Sequence, residues 1–284
     1  GGPAGRFARE FGGEIMPRIK AGDSHINYIE AGEAGADAIL FIPGLIGLSK
    51  MWEFQFPHFS KRYRCISFDH RGSGESDKAE DGYTTARIAV DALAVLDHLG
   101  VERAHVVGAS TGGCILQNLS LDYPDRVGLA VFTNTWTAAD EYMTRLQLAR
   151  RRILEAYGQE AYIEVSSIWT GGSTMFRNDL EKMLDLEKRQ KETIADTGIL
   201  LARIDMTLEH DRLDEIPNIG KKALIVAARD DSLTPPYYAE DLNRMIKGSR
   251  LHLLEYGGHN SYRRNPEGWN SAVDEFFKEN EAKP

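Results

Sequence analysis

The segment "VVGASTGGC", residues 106–114, places one serine, Ser110, between Gly108, Gly112 and Gly113. An apolar run leads into the serine, and an amphipathic helical pattern follows it. Gly-x-Ser-x-Gly between a strand and a helix predicts a nucleophile elbow, a turn so tight that only small residues fit beside the exposed hydroxyl. The alternative is a glycine-rich strand–helix turn without a catalytic role.

Short apolar runs recur along the chain and alternate with helical patterns. The runs cover residues 25–32, 38–44, 63–69, 104–110, 127–134, 223–231 and 250–258. Continuous short runs are typical of strands buried on both faces of a parallel sheet. Helical patterns such as residues 85–100 separate the runs, so we predict an α/β fold with a mostly parallel, twisted sheet flanked by helices.

The alternation stops in the middle of the chain. Residues 135–212 are polar and helical and contain no strand-like run. Because this stretch lies between two predicted strands, we interpret it as an inserted helical lid on a core formed by residues 16–134 and 213–284. Residues 1–15 are interpreted as a tail or a cloning remnant.

Composition limits the classes of function. Hydrophobic residues make up 42% of the chain and charged residues 27%, which is typical of a soluble globular protein. The net charge of −9 argues against a nucleic-acid partner. No apolar run approaches the roughly 20 residues of a membrane span. An arginine cluster at residues 150–152 is interpreted as the solvated face of a helix.

The cysteine content indicates a reducing environment. The two cysteines, Cys65 and Cys114, lie in apolar segments and are predicted to be buried thiols without a disulfide. No secretory signal is visible in the sequence. We therefore expect a cytoplasmic protein.

A serine nucleophile needs a general base and an acid that orients the base. His259, in "YGGHNS", follows the last strand-like run, and His70, on the loop after an earlier run, is its rival. Asp231, in "AARDDSLTPP", is preferred over Asp230 as the acid. The order along the chain is then nucleophile, acid and base: Ser110, Asp231 and His259.

An oxyanion site is predicted beside the serine, formed by two backbone N–H groups. We assign one to Thr111, directly after the serine, and the other to Leu45, on the glycine-containing loop after residues 38–44.

Substrate contacts are expected from this loop and from the lid. The predicted residues are Ile46, Trp136, Met143, Trp169 and Phe176. For the aromatic residues and Met143, packing within the lid is the alternative. If the substrate carries a carboxylate, an arginine of the lid should face the pocket, and the sequence leaves three candidates open: Arg145, Arg152 and Arg177.

The chain resembles the α/β-hydrolase superfamily from about residue 20 to residue 280. The matching segments are "FIPGLIGLSKMW", "FDHRGSGESD", "VVGASTGG", "YPDRV", "AARDDSLTPP" and "YGGHNS". Within the superfamily it is similar to small lid-bearing ester and lactone hydrolases, such as the 3-oxoadipate enol-lactonases, and to the aminoacrylate hydrolase of pyrimidine degradation. Two positions depart from common patterns: Pro43, where many relatives carry histidine, and Thr111, where the C–C bond hydrolases usually carry methionine.

The resemblance implies a serine hydrolase that cleaves a small carboxylic ester or lactone through an acyl-enzyme on Ser110, with Asp231 and His259 completing the triad. We expect no cofactor and, because no cluster of His, Cys, Asp or Glu has ligand spacing, no metal. Two alternatives stay open: hydrolysis of a C–C or C–N bond next to a carbonyl, and a ligand receptor with little turnover. The expected partner is a small carbonyl compound and neither nucleic acid nor a membrane; a homodimer is left open.

Overall fold

One eight-stranded sheet forms the centre of the computed structural model, which describes residues 17–281. The strands are β1 Arg18–Ala21, β2 Ser24–Ala31, β3 Ala38–Ile42, β4 Arg64–Phe68, β5 Ala104–Ala109, β6 Val127–Thr133, β7 Ala223–Ala228 and β8 Arg250–Leu254. Their order across the sheet is β1-β2-β4-β3-β5-β6-β7-β8. The β1–β2 and β2–β4 pairs are antiparallel and the other neighbours are parallel. The predicted mostly parallel sheet is confirmed, whereas β1 was not predicted.

Nine α-helices connect and cover the strands within the described residues. They are α1 Phe56–Phe59, α2 Thr85–His98, α3 Thr111–Asp122, α4 Glu141–Asn178, α5 Leu180–Thr193, α6 Thr197–Glu209, α7 Pro236–Met245, α8 Ser261–Arg264 and α9 Pro266–Asn280. Short 3-10 turns lie at Ser49–Trp52, Pro124–Arg126, Ile216–Asn218 and Gly258–Asn260. None of the helices between residues 17 and 281 has the length and apolar character needed to cross a membrane.

The centre of the sheet is covered on both faces. Every residue of β3, β6 and β7 is buried. One apolar cluster includes Ile88 of α2, Ile115 of α3 and Leu242 of α7, and the second includes Phe56 of α1 and Trp269 of α9. This double coverage explains the uninterrupted apolar runs in the sequence, because these strands have no solvent-facing side.

Both cysteines are free and fully buried, as predicted. Burial raises the pKa of the Cys114 thiol to about 12. Since the thiolate is the reactive form, neither thiol is a nucleophile near neutral pH.

Helices α4, α5 and α6 follow one another between β6 and β7, and they all lie within residues 135–212, called the insertion below. Helix α4 is interrupted at Gly158 (φ 81°) and Gly172 (φ 67°), where the positive φ angles break the helical path into three segments. A small apolar cluster joins α4 to α6: Leu154, Tyr162, Ile163, Leu200 and Ile204. The insertion therefore has packing of its own in addition to its contacts with the sheet domain.

A buried histidine attaches the end of the insertion to two helices of the sheet domain. His210 Nδ1 lies 2.9 Å from Thr85 Oγ1 of α2, and His210 Nε2 lies 3.0 Å from Gln117 Oε1 of α3. Burial, together with the positive charge of Arg212, lowers the pKa of His210 to about 4. The imidazole is therefore neutral in the folded protein at pH values above about 4.

Helix α3 approaches the end of β3 so closely that only glycine fits at one position. A Cβ on Gly112 would overlap the backbone carbonyl oxygens of Ile42 and Pro43, which cannot move aside as a flexible side chain could. By contrast, a Cβ on Gly198, at the start of α6, would meet no atom within 4 Å.

We predict that Gly112→Ala lowers the free energy of unfolding by about 1–3 kcal/mol because it overpacks a rigid contact. Gly198→Ala is the matched control and should raise the free energy of unfolding by up to about 1 kcal/mol, because alanine loses less backbone entropy in a helix. Urea unfolding monitored by circular dichroism gives both values. Equal changes in the free energy of unfolding for the two substitutions would contradict the close approach of α3 to the end of β3.

We also predict a loss of stability between pH 6.5 and pH 4 that depends on His210. In that window the unfolded chain, with the ordinary histidine pKa of 6.5, binds a proton that folded His210 does not, so the stability present above pH 6.5 falls as the pH falls. The full contribution is about 3 kcal/mol. Urea unfolding across this pH range should show a weaker pH dependence of the free energy of unfolding for His210→Gln than for wild type. His98→Gln, which changes an exposed histidine, is the control and should match wild type. The same pH dependence in wild type and His210→Gln would be evidence against the low pKa of His210.

Candidate functional site

Ser110 occupies a sharp turn between β5 and α3. Its backbone angles, φ 55° and ψ −123°, are rarely adopted by a residue with a side chain. The turn is held by hydrogen bonds from Ser110 N to Thr133 O (2.8 Å), from Gly113 N to Ser110 O (2.8 Å) and from Thr135 Oγ1 to Ser110 O (2.8 Å). Ser110 is the N-cap residue of α3, so its side chain stands at the positive end of the helix dipole.

His259 and Asp231 are paired at the carboxyl ends of the neighbouring strands. His259 Nδ1 lies 3.0 Å from Asp231 Oδ2, and both side chains are buried. The carboxylate also accepts hydrogen bonds from Asn134 Nδ2 (2.6 Å) and Thr234 Oγ1 (2.7 Å) at Oδ2, and from Leu233 N (2.8 Å) and Thr234 N (3.0 Å) at Oδ1. These four hydrogen bonds, together with the contact to His259, fix the orientation of the buried carboxyl group.

The two rival residues from the sequence lie elsewhere. Asp230 Oδ1 accepts a hydrogen bond from Gly258 N (2.7 Å) and so supports the loop that carries His259. His70 is fully buried, and neither ring nitrogen has a hydrogen-bond partner within residues 17–281. Burial and the nearby Arg203 hold the pKa of His70 well below its usual value.

Ser110 and His259 line one small cavity. Its volume is about 110 Å³, and its wall includes Leu45 and Thr111, the residues predicted for the oxyanion site. A Cβ on Gly44 would lie 3.2 Å from Ser110 Cβ, so the absence of a side chain there lets the loop approach the serine. A second cavity of about 710 Å³ lies beside it and shares two lining residues, Thr170 and Asn260.

Three of the five predicted substrate contacts lie on the wall of the first cavity: Ile46, Trp136 and Met143. Trp169 and Phe176 are not among the described lining residues. In the segment of α4 between the two glycine breaks, positions 162, 163, 166 and 170 line the cavity, and Trp169 lies roughly 75° around the helix from their centre. Phe176 follows the break at Gly172, beyond which the helix takes a new direction.

The structure places different arginines at the cavity from those that the sequence suggested. The three arginines that the sequence suggested for a substrate carboxylate are exposed on α4, and none of them lines the cavity: Arg145, Arg152 and Arg177. Arg150 and Arg203 line it, with relative exposures of only 6% and 1%. The interpretation of residues 150–152 as a solvated face is therefore wrong for Arg150. The missed signal is its spacing from Met143 and Leu154, which places Arg150 on the buried face of α4.

Arg150 is held by three neutral side chains of the same helix. Nε donates to Ser166 Oγ (3.0 Å), Nη1 to Gln147 Oε1 (2.9 Å) and Nη2 to Tyr162 OH (2.7 Å). The guanidinium also lies over the Tyr162 ring, 4.9 Å from its centroid. All three of these partners line the cavity as well.

Arg203, on α6, joins the insertion to two loops of the sheet domain. Nη1 donates to Ile46 O (3.1 Å), and Nη2 donates to Arg71 O (3.0 Å) and Ser73 Oγ (2.5 Å). Its Nε is buried without a hydrogen-bond partner among the described residues. Burial lowers the pKa of Arg203 to about 10, so the side chain still carries its charge at neutral pH.

The sequence of this chain is similar to those of known hydrolases. A family model described as alpha/beta hydrolase fold matches residues 37–174, and one described as TAP-like protein matches residues 206–284. "Putative carbamate hydrolase RutD" of Caulobacter vibrioides is 30% identical over 246 residues, covering 86% of this chain and 91% of that protein. Its namesake in Azorhizobium caulinodans is 31% identical over 244 residues, with the same coverage of 86% and 91%.

Solved structures give the same picture of the fold. The crystal structure of the enol-lactonase from Burkholderia xenovorans superposes with a TM-score of 0.85, covering 92% of this chain and 100% of the other. The two sequences are 21% identical, so this likeness concerns the fold alone.

We predict that Asn134→Asp destabilises the protein at neutral pH, because it places a second carboxylate against buried Asp231. Asn134 has a positive φ of 46°, which aspartate tolerates, so the change affects charge and not backbone shape. The free energy of unfolding should fall by about 3 kcal/mol or more at pH 7.

Asn265→Asp is the matched control for this substitution. Asn265 is the N-cap of α9, and its side chain accepts a hydrogen bond from Gly268 N. Because aspartate caps a helix as well as asparagine does, this variant should unfold like wild type at pH 7. Chemical denaturation at pH 7 measures the effect, and an Asn134→Asp variant as stable as wild type would contradict the buried hydrogen bond from Asn134 to Asp231.

Proposed function

Because this chain belongs to the α/β-hydrolase family, as its sequence segments predicted, we propose that it is a serine hydrolase that cleaves a small carboxylic ester or lactone. The observation that carries this proposal is the cavity itself. Ser110, on a turn that exposes its hydroxyl, and His259, oriented by buried Asp231, line the same small space.

His259 is the general base in this mechanism. The Nδ1–H group donates to Asp231 Oδ2, which leaves Nε2 unprotonated and able to accept the Ser110 hydroxyl proton. The serine oxygen then bonds to the carbonyl carbon of the substrate, and the imidazolium that forms is stabilised by the Asp231 carboxylate. The same proton is later given to the departing alkoxide, which leaves as an alcohol.

The negative charge of the tetrahedral intermediate develops on the former carbonyl oxygen. The backbone N–H groups of Thr111 and Leu45 are assigned to this oxygen, since both residues border the cavity beside Ser110. The N-terminus of α3 adds a favourable dipole at the same place. When the leaving group has departed, a water molecule activated by His259 attacks the acyl-enzyme, and the acid is released.

The size of the cavity supports a small substrate. An apolar cavity of about 150 Å³ holds one benzene molecule, and the cavity at Ser110 has about 110 Å³. Its wall is partly apolar, through Trp136, Met143 and Ile46, and partly polar, through the groups around Arg150. Short-chain esters and small lactones fit this description better than long acyl chains.

Hydrolysis of a C–N bond at a carbonyl is the second candidate. It is favoured by the similarity to proteins named as carbamate hydrolases. The same serine, base and oxyanion groups would serve both reactions. The two candidate functions are therefore distinguished by which substrates are hydrolysed. Titration of acid released from methyl esters and lactones, beside an ammonia assay with the primary amides of the same acids, separates the two candidates, because an amide releases ammonia only when its C–N bond is cleaved.

We predict that a small fluorophosphonate labels the wild-type protein once and that Ser110→Ala abolishes this labelling. His259→Gln should slow labelling and ester hydrolysis by about a thousandfold or more, because the serine loses its base. Ser120→Ala, which removes a buried serine of the same helix that is not on the cavity wall, is the control and should behave like wild type. Intact mass spectrometry measures the label. Labelling that survives in Ser110→Ala, or none in wild type, would overturn the proposal.

A further inference from the structure

The cavity that contains Ser110 carries positive charge without a balancing negative group. Its described lining residues include Arg150 and Arg203 but no aspartate and no glutamate. Neither arginine forms an ion pair within residues 17–281, although the whole chain has a net charge of −9. Burying a cation without a counter-ion is costly, so its presence calls for an anion that joins it from outside.

Arg150 has the geometry to hold such an anion. A guanidinium has five N–H donors, and three of those of Arg150 are used by Ser166, Gln147 and Tyr162. One N–H on Nη1 and one on Nη2 remain without a described partner, and a guanidinium N–H forms a strong, charge-assisted hydrogen bond to a carboxylate. The three neutral partners hold the side chain in place without neutralising its charge.

Arg203 adds to the positive potential but is less free to bind. Two loops of the sheet domain already occupy both of its terminal nitrogens, through Ile46 O, Arg71 O and Ser73 Oγ. We therefore assign the direct contact with the anion to Arg150, and we expect Arg203 to contribute only through its positive charge.

Resting on the proposed function, we propose that the substrate of this hydrolase carries a carboxylate in addition to the carbonyl that Ser110 attacks, and that Arg150 binds this carboxylate. Because Ser110 and Arg150 line the same cavity of about 110 Å³, we expect the two groups to be separated by a short chain. The substrate class is then the short anionic esters, lactones or C–N analogues of a dicarboxylic acid.

The test compares esters that differ only in the terminal charge. Monomethyl malonate, succinate and glutarate are paired with methyl propanoate, butanoate and pentanoate, in which a methyl group replaces the carboxylate. At the chain length that spans Ser110 and Arg150, kcat/KM for the anionic ester should exceed that of its neutral partner by about tenfold to a hundredfold, the range of one charged hydrogen-bonded contact. Equal or faster hydrolysis of the neutral ester at all three lengths overturns the proposal.

Variants identify the residue responsible. Arg150→Gln should lower kcat/KM for the preferred anionic ester about tenfold to a hundredfold and change the neutral ester by less than about threefold. Arg150→Lys, which keeps the charge but loses the guanidinium group, should lie between wild type and Arg150→Gln. Arg152→Gln, on the exposed face of the same helix and away from the cavity, is the matched control and should match wild type.

Binding without turnover provides an independent measurement. Titration calorimetry of Ser110→Ala with malonate, succinate and glutarate should detect binding of at least one dianion, and adding Arg150→Gln should weaken it about tenfold or more. Absence of binding, or equal binding with and without Arg150, overturns the proposal. So does an equal loss of activity on charged and neutral esters in Arg150→Gln, which would indicate a purely structural role.

Failure of this inference is distinct from failure of the proposed function. Hydrolysis that depends on Ser110 but shows no preference for the anionic esters removes the carboxylate site and leaves the serine hydrolase intact. Hydrolysis of the anionic ester that persists in Ser110→Ala would remove the serine mechanism, whatever the preference of the cavity.

Discussion

The backbone conformation of Ser110 is the constraint on which the site depends. A residue with a side chain in this region of φ and ψ costs about 1–3 kcal/mol, so the surrounding structure must hold it there. Hydrogen bonds to Thr133 and Thr135 do so, and glycines supply the space. A Cβ at Gly113 would collide with the side chain of Thr135, and one at Gly108 would collide with the backbone of Gly112. The compact turn points the serine into the cavity at the start of α3.

The rest of the proposed catalytic apparatus is built from the ends of the neighbouring strands. Asn134, directly after β6, connects two of them: it donates to Asp231 after β7 and to the carbonyl of Gly258 after β8. Ser261 in turn donates to Asn134 Oδ1. Since these strands are parallel, their carboxyl ends lie at one edge of the sheet, and a network of short hydrogen bonds can align the carboxylate and the imidazole there.

The insertion determines the chemical character of the cavity. Met143 and Arg150 of α4 and Trp136, in the segment before α4, lie on one side, and α6 provides Arg203, which donates to the loop that carries Leu45 and Ile46. The same arginine thus supports the proposed oxyanion loop and adds charge to the cavity. In the proposed mechanism the sheet domain supplies the reacting groups, and the insertion supplies the groups that we propose to select the substrate.

The sheet, the elbow and the candidates for nucleophile, acid and base could be predicted from the sequence, because each depends on local patterns. A strand that is buried on both faces has a continuous run of apolar residues in its sequence, and a tight turn needs glycines at fixed spacings. The four-residue edge strand β1, "RIKA", was missed because so short an alternating segment carries little pattern. The pairing of His259 with Asp231 and not with Asp230, and the identity of the arginines that line the cavity, depend on contacts between residues that are distant in the sequence. Helical spacing can show that Arg150 lies on the buried face of α4, but what that face meets depends on the breaks at Gly158 and Gly172 and on packing against distant parts of the chain.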